Sequence, residues 1–199
     1  MKELINSSKK KRIIDEYNSS VYYYDKRYKQ IQLEKFKLLL KNLKFDNKVI
    51  LDAGCGTGLL FEFFFSSNQS LSKGKLRYIG LDVSWNMLNR FLCKVKKVKC
   101  IEHANLILGD IENLPIREEK IQHIFAVTSL QNLYDIERGL RELVRIGQQG
   151  ASFNLSILRK NLDLGKIYSY LKSEIEGLNL TTLEKVEDVI IQGNLMKKK

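Results

Sequence analysis

Three alternating glycines behind a carboxylate are the strongest chemical signal in the chain. Gly54, Gly56 and Gly58 lie in the sequence DAGCGTG, and Asp52 opens it. Because glycine has no Cβ and adopts positive φ readily, such a turn folds tightly and lets a ligand lie against backbone N–H groups at a helix start. The spacing argues against a dinucleotide, since Leu59 stands where GxGxxG needs its third glycine, and no Gly-Lys-Ser/Thr completes a Walker loop.

Two further carboxylates follow the glycine turn along the chain. Asp82 comes at the end of LRYIGLDV, and Asp110 ends NLILGD just before Ile111. Asp52 would repel a pyrophosphate but suits a ligand with an ammonium or sulfonium charge. Asp82 is placed to accept two hydrogen bonds from a ribose diol, and Asp110 to accept one from an adenine amine while Ile111 packs on the ring. These acids predict a ligand that combines an amino-acid moiety, a ribose and an adenine.

Strand-like and helix-like segments alternate along the chain, which places these residues. Apolar spacing predicts a first helix over 20–44 and helices behind Ser84 and Asp135, and β-branched runs predict strands at 48–54, 76–83, 105–110, 123–130 and 151–158. A last helix over 164–175 and two closing strands, 180–186 and 187–193, follow. The pattern predicts an α/β fold: a doubly wound, Rossmann-like, mostly parallel sheet with a C-terminal antiparallel hairpin. Ligands of such sheets bind beyond the carboxyl ends of the strands, where the acids lie.

Composition predicts a single globular domain. The chain has 199 residues, 44% of them apolar and 29% charged. Residues 1–44 are expected to form a basic helical segment that packs on the core, and 45–199 the ligand-binding domain. The net charge is +11, and the basic run Lys9–Arg12 could neutralise phosphates, although solvated lysine-rich ends are the simpler interpretation.

Cysteine usage and hydrophobicity exclude several classes of protein. The three cysteines have neither a disulfide pattern nor CxxC spacing, so no metal site is predicted. No apolar run approaches the ~20 residues of a membrane span, and the N-terminus lacks the apolar stretch of a secretory signal. The expected location is therefore the cytoplasm.

The motifs DAGCGTG, LDVSWNML and GDIENLP resemble the successive motifs of class I S-adenosylmethionine-dependent methyltransferases. Residues 129–158 resemble the methyltransferase type 11 group, of the ubiquinone/menaquinone-biosynthesis kind, and the resemblance covers roughly 45–160. It implies S-adenosylmethionine as cofactor, with the glycines against the methionyl part, Thr128 on the floor, and Tyr17 and Tyr28 closing over the site. The implied cofactor contacts are Asp52, Gly54, Cys55, Gly56, Gly58, Asp82, Val83, Met87, Asp110, Ile111, Thr128, Tyr17 and Tyr28.

The implied activity is methyl transfer to an unidentified acceptor. Such a displacement needs alignment and exclusion of water more than a strong base, so the candidates nearest the methyl group are only polar: Thr128, Ser129, Gln131 and Asn132. The short region after strand five and the basic front favour RNA or protein over a small metabolite, which would need residues 17–28 as a cap. The alternative is a non-catalytic binding or scaffold subunit, and a small partner subunit is a further expectation.

Overall fold

The computed structural model describes residues 2–41, 43–45, 48–67, 76–97, 101–160, 163–182 and 187–196. The helices are α1 (Lys2–Leu39), α2 (Leu59–Ser67), α3 (Trp85–Lys97), α4 (Ile136–Ile146) and α5 (Leu164–Glu174). The strands are β1 (Val49–Ala53), β2 (Arg77–Asp82), β3 (Ala104–Leu108), β4 (Ile121–Val127), β5 (Gly147–Leu158), β6 (Ile175–Thr182) and β7 (Asp188–Leu195). Short 3-10 turns occupy Ile101–His103 and Leu130–Asn132.

The strands of the described chain form one seven-stranded sheet in the order β3-β2-β1-β4-β5-β7-β6. Strands β1 to β5 pair in parallel, and β7 runs antiparallel to both β5 and β6. The strand order reverses between β1 and β4, which creates a crevice at the carboxyl ends of these two strands. The predicted doubly wound sheet with a C-terminal antiparallel hairpin is thus the observed architecture.

Helices cover both faces of the sheet because its strands carry apolar side chains on both sides. One buried cluster joins the sheet to α4 and α5 and includes Leu51, Ala53 and Ile124. The other joins it to α1, α2 and α3 and includes Ile50 and Tyr78. Successive residues of β1 therefore enter opposite clusters, as the two-residue period of a strand requires.

Helix α1 is longer than the sequence pattern predicts. The predicted helix over 20–44 instead runs from Lys2 to Leu39, so the basic run Lys9–Arg12 belongs to a regular helix, in which Lys11 and Arg12 are exposed. Phe36 and Leu39 bury the rear of α1 against the sheet. The front part lacks a strong apolar period, and its helix is held by contacts described below.

The C-terminal elements also shift relative to prediction. Ile175 begins β6 rather than ending the last helix, because it pairs with Leu195 across the hairpin and is buried. The predicted closing strands begin and end at other residues, and 183–186, predicted as strand, lie outside the described part of the chain. Most of the predicted loop 66–75 lies outside it as well. Among the residues that the structure describes, no helix is both long and apolar enough to cross a membrane.

Candidate functional site

The glycine turn connects β1 to α2 in a shape that L side chains resist. Gly54 and Gly58 have φ of +80° and +76°. A Cβ on Gly54 would lie 2.4 Å from the Cβ of Ser129, and one on Gly58 would lie 2.2 Å from the ring of Phe91. The glycines are therefore required both by backbone conformation and by space.

Asp82 closes the other side of this turn. Its Oδ2 accepts a 2.8 Å hydrogen bond from the N–H of Gly56, and its Oδ1 accepts one of 2.8 Å from the N–H of Ser84. Burial raises the pKa of Asp82, and these backbone donors oppose the rise. Each carboxylate oxygen has a second acceptor position, so the group can still bind a ligand diol.

A cavity of about 340 Å³ opens between the glycine turn, the ends of β2, β3 and β4, and the front of α1. Its volume falls within the range of small-molecule sites, about 300–1,000 Å³. Of the residues predicted from the sequence, the structure brings these into its wall: Tyr17, Gly54, Gly56, Asp82, Val83, Asp110, Ile111, Thr128, Ser129 and Asn132.

Six other residues of the predicted set lie outside this wall: Asp52, Cys55, Gly58, Met87, Tyr28 and Gln131. Asp52 is buried on the opposite side of the turn, where its Oδ2 accepts a 2.6 Å hydrogen bond from the hydroxyl of Tyr78. Burial raises the pKa of Asp52 to about 7, although the Tyr78 hydrogen bond opposes the rise. Of the three predicted carboxylates, Asp82 and Asp110 line this cavity and Asp52 does not, because the β1 side chains alternate between the two faces of the sheet.

The other five residues outside the cavity wall are held by contacts within the chain. Met87 is fully buried in the core, and the side chain of Cys55 is buried, where burial raises the pKa of its thiol. Tyr28 packs against Tyr24, with their ring centroids 4.9 Å apart. Gly58 faces Phe91, as described above, and Gln131 donates from Nε2 to the carbonyl oxygen of Thr128 at 2.7 Å.

Thr128 follows β4 in an unusual conformation, with φ of +55°. Its Oγ1 accepts a 2.8 Å hydrogen bond from the ammonium of Lys35 and donates to Oδ2 of Asp188 at 3.0 Å. The ammonium of Lys35 also lies 2.9 Å from Oδ2 of Asp188, and both side chains are buried. A buried ion pair therefore holds this strained residue beside the cavity.

The other polar candidates after β4 are also bonded to the chain itself. Ser129 donates from Oγ to the carbonyl oxygen of Ala53 at 2.8 Å, and Asn132 donates from Nδ2 to the hydroxyl of Tyr17 at 2.7 Å. Burial raises the pKa of Tyr17, so its hydroxyl stays protonated at neutral pH. These side chains can position and enclose a ligand, and the geometry assigns none of them as a strong base.

Sequence reasoning missed the contribution of the front of α1 to the cavity wall. Three of its residues there were not predicted, namely Lys10, Ile13 and Ile14, whereas Tyr24 falls within residues 17–28, the cap expected for a small acceptor. Together with Tyr17 they follow the i, i+3, i+4, i+7 spacing of one helical face, which is the signal that could have found them. The ammonium of Lys10 contacts Oδ2 of Asp110 at 2.6 Å and Oε2 of Glu112 at 2.8 Å.

The described residues contain no cluster of three or more His, Cys, Asp or Glu side chains able to hold a metal ion. The site is thus built from backbone amides, carboxylates and an apolar wall.

The chain matches the family described as a methyltransferase domain over residues 51–155, and it belongs to that family. The glycine turn, Asp82, Asp110 and the β4 end all lie inside the matched range. The resemblance to class I S-adenosylmethionine-dependent methyltransferases is thereby confirmed.

Two curated relatives are similar in sequence. A malonyl-[acyl-carrier protein] O-methyltransferase of Hamiltonella defensa is 31% identical over 154 residues, which are 77% of this chain and 55% of the relative. A ubiquinone/menaquinone biosynthesis C-methyltransferase of Campylobacter jejuni is 28% identical over 155 residues, which are 71% of this chain and 61% of the relative. The chain therefore spans between about half and three fifths of the length of these relatives.

Two solved structures share the fold. Magnesium protoporphyrin IX methyltransferase from Synechocystis, with bound S-adenosylmethionine, has a TM-score of 0.73 at 16% identity and covers 95% of this chain and 97% of its own. A methyltransferase-fold chain in a complex with the Trm112 methyltransferase activator of Haloferax volcanii has a TM-score of 0.71 at 13% identity, covering 92% and 98%.

Proposed function

We propose that this protein is an S-adenosylmethionine-dependent methyltransferase whose acceptor is a small molecule enclosed beneath α1. The observation that carries the proposal is that α1 supplies Ile13, Ile14, Tyr17 and Tyr24 to the wall of the same cavity that Asp82 lines. A cap of this kind suits an acceptor small enough to be enclosed.

The cavity fits the cofactor in shape and donor chemistry. Asp82 offers carboxylate oxygens to a ribose diol, and the turn brings backbone close to a ligand where a Cβ on Gly54 would clash. Apolar groups at the β3 end, among them Leu108 and Ile111, line the wall where an adenine would stack. S-adenosylmethionine bound there supplies an electrophilic methyl group on a sulfonium.

The residues of the chain contribute alignment and exclusion of water. The cap of α1 covers the cavity, and its Tyr17 is held in place by the hydrogen bond from Asn132. A reacting pair held in line and shielded from solvent needs little acid–base help for methyl transfer, because the leaving group is a neutral thioether. Thr128 and Ser129 line the cavity and stiffen its wall through their own hydrogen bonds.

A small acceptor is favoured over RNA for two reasons. The basic front of α1 is partly engaged with the chain: Lys10 contacts Asp110 and Glu112, and Lys9 donates to the carbonyl oxygen of Leu133 at 2.9 Å. The curated relatives are named for a malonyl group on a carrier protein and for quinone biosynthesis, which gives no support to an RNA acceptor. A small partner subunit remains part of the proposal, supported by the Haloferax complex at the level of fold.

The test is a titration followed by a transfer assay. S-adenosylmethionine should bind the purified chain in a calorimeter, whereas a scaffold subunit would bind it weakly or not at all. Labelled methyl should then pass to the small-metabolite fraction of a cell extract and not to its RNA or protein. Transfer to RNA with a steep dependence on salt would overturn the choice of acceptor.

A further inference from the structure

A second, smaller cavity adjoins the first at the glycine turn. It lies between α1, α2 and the turn, and the two cavities share four wall residues, Tyr24, Gly54, Gly56 and Val127. Its volume is about 30 Å³, which accommodates a group of about the size of water or ammonium but leaves no room for a methyl acceptor.

Gln32 projects from the middle of α1 to line this smaller cavity. Its side chain is only 6% exposed, and its Oε1 accepts no hydrogen bond from any described residue. Buried amide oxygens in proteins are nearly always paired, so an unpaired one beside a cavity indicates a donor that arrives with a ligand.

The wall of the smaller cavity selects the charge of that donor. Asp52 contributes a carboxylate and is 2% exposed, whereas the described residues that line the cavity include no Lys, Arg or His. The hydroxyl of Thr57, another wall residue, is already engaged, because it donates to Asp25 and accepts from Lys94. Such a wall repels an anion and attracts a cation with several N–H donors. Burial raises the pKa of Asp52 to about 7, which is consistent with a carboxylate that lacks a cationic partner.

The order of the strands that line the larger cavity places one end of the cofactor beside the smaller cavity. Asp110 lies after β3, Asp82 ends β2, and the glycine turn follows β1, three neighbouring strands in that order. A nucleoside with its adenine near Asp110 and its ribose on Asp82 extends its remaining arm toward the glycine turn and the smaller cavity. That arm is the amino-acid end of S-adenosylmethionine.

We propose that Oε1 of Gln32 accepts a hydrogen bond from the α-ammonium group of S-adenosylmethionine in this smaller cavity. The inference rests on the proposed function and makes Gln32 a binding residue for the amino-acid end of the cofactor. Helix α1 then contributes to both cavities, with Lys10 in the wall of the larger one and Gln32 in the wall of the smaller one.

The experiment compares Gln32→Leu with Gln30→Leu, a change at an exposed position on the same helix. Calorimetric titrations use S-adenosylmethionine, decarboxylated S-adenosylmethionine, which keeps the amine, and 5′-methylthioadenosine, which lacks the whole amino-acid end. Q32L should weaken binding of the first two about tenfold or more and leave methylthioadenosine unchanged, while Q30L changes none of them. Gln32→Glu should bind the first two at least as tightly as the natural protein.

Each remaining outcome bears on a separate claim. Failure of the natural protein to bind S-adenosylmethionine overturns the proposed function, and this inference with it. The inference alone is overturned if the natural protein binds S-adenosylmethionine and Q32L binds it with the same affinity. It is also overturned if Q32L binds methylthioadenosine more weakly by the same factor. If Q32L loses affinity for S-adenosylmethionine but not for its decarboxylated form, the assignment of the ammonium group is overturned. The melting temperature of ligand-free Q32L should match or exceed that of the natural protein, because leucine removes the unpaired oxygen.

Discussion

The ammonium of Lys10 lies 2.6 Å from Oδ2 of Asp110 at the mouth of the larger cavity. The other oxygen of Asp110 accepts a 2.9 Å hydrogen bond from the N–H of Glu112. Asp110 is the carboxylate predicted to meet the adenine amine, so one side chain contacts both the helix that covers the cavity and the place for the ligand. In the proposed function, the position of α1 and the binding of the adenine would therefore be coupled through a single group.

Replacing Lys10 by methionine should loosen the front of α1. The pair with Asp110 is partly exposed and contributes about 0.2–1 kcal/mol, but Lys10 also neutralises the buried carboxylate of Glu112, and a buried charge left without its partner costs about 3–5 kcal/mol. The free energy of unfolding should therefore fall by more than the exposed pair alone contributes. Hydrogen exchange of the backbone amides near residues 10–18 should become faster. Lys37→Met, which breaks an exposed pair with Glu34, is the control and should leave exchange in this region unchanged.

Replacing Asp82 by alanine should weaken every ligand that carries the ribose. A hydrogen bond to a charged group contributes about 1.5–3 kcal/mol, so binding of S-adenosylmethionine and of adenosine should both weaken by about that amount. Calorimetry measures both. An unchanged dissociation constant for adenosine would contradict the ribose assignment. Because Asp82 also accepts the N–H groups of Gly56 and Ser84, the melting temperature of the ligand-free variant is measured beside it.

Replacing Asp52 by asparagine should flatten the dependence of stability on pH. The pKa of Asp52 is raised to about 7 in the folded protein, chiefly by burial, and its charged neighbour Asp82 adds to the rise. Between pH 4 and pH 7 the folded chain keeps a proton that the unfolded chain has released, so stability falls as pH rises through this window. The variant should therefore gain up to about 4 kcal/mol at pH 8 and little at pH 4.

Urea denaturation at the two pH values checks this prediction. Asparagine can still accept the hydrogen bond from Tyr78, so packing is retained. The control is Asp15→Asn at an exposed position of α1, which should leave the difference between the two pH values as it is. Equal gains at pH 4 and pH 8 for D52N would show that the carboxylate is not protonated in the fold.

Replacing Gly58 by alanine should be costlier than replacing Gly150. Both glycines have φ near +75°, but the new Cβ meets the buried ring of Phe91 at 2.2 Å in the first case and nothing within 4 Å in the second. The conformational cost alone is about 1–2 kcal/mol, and the clash adds about 1–3 kcal/mol. Chemical denaturation measures the loss of unfolding free energy in each variant, and the difference between the two losses is the contribution of the clash. Equal losses would mean that Phe91 moves aside freely.

The sequence predicts the sheet and the glycine turn well because their signals are local. The residue type of Gly54 and Gly58 predicts the positive φ that both adopt. Asp82 and Asp110 lie at or just after the ends of strands, which the runs of apolar residues predict. Asp52 shows the limit of such reasoning. Its residue type suits a cationic ligand, but the alternation of β1 places its carboxylate against Tyr78 and in the wall of the smaller cavity, which the sequence does not reveal.

The residues that were missed depend on where α1 docks. Lys10 and Gln32 reach their cavities only because their helix lies across the carboxyl ends of strands that are far from it in the sequence. The front of that helix is rich in charge, so its apolar stripe of Ile13, Ile14 and Tyr17 is easily overlooked. The spacing of these residues marks a helical face, but where that face docks depends on contacts between distant segments, which the local sequence does not encode.

The two ends of helix α1 are held by different kinds of contact. Its rear is anchored by Phe36 and Leu39 in the core and by the buried contact of Lys35 with Asp188, whereas its front is tied by a few polar contacts at the rim. Lifting the whole helix would rupture the core, but peeling back its first turns would break only those ties. Cofactor exchange by that route would break the polar contacts of the first turns and leave the core intact, and the rate of turnover would then respond to changes far from the reacting atoms.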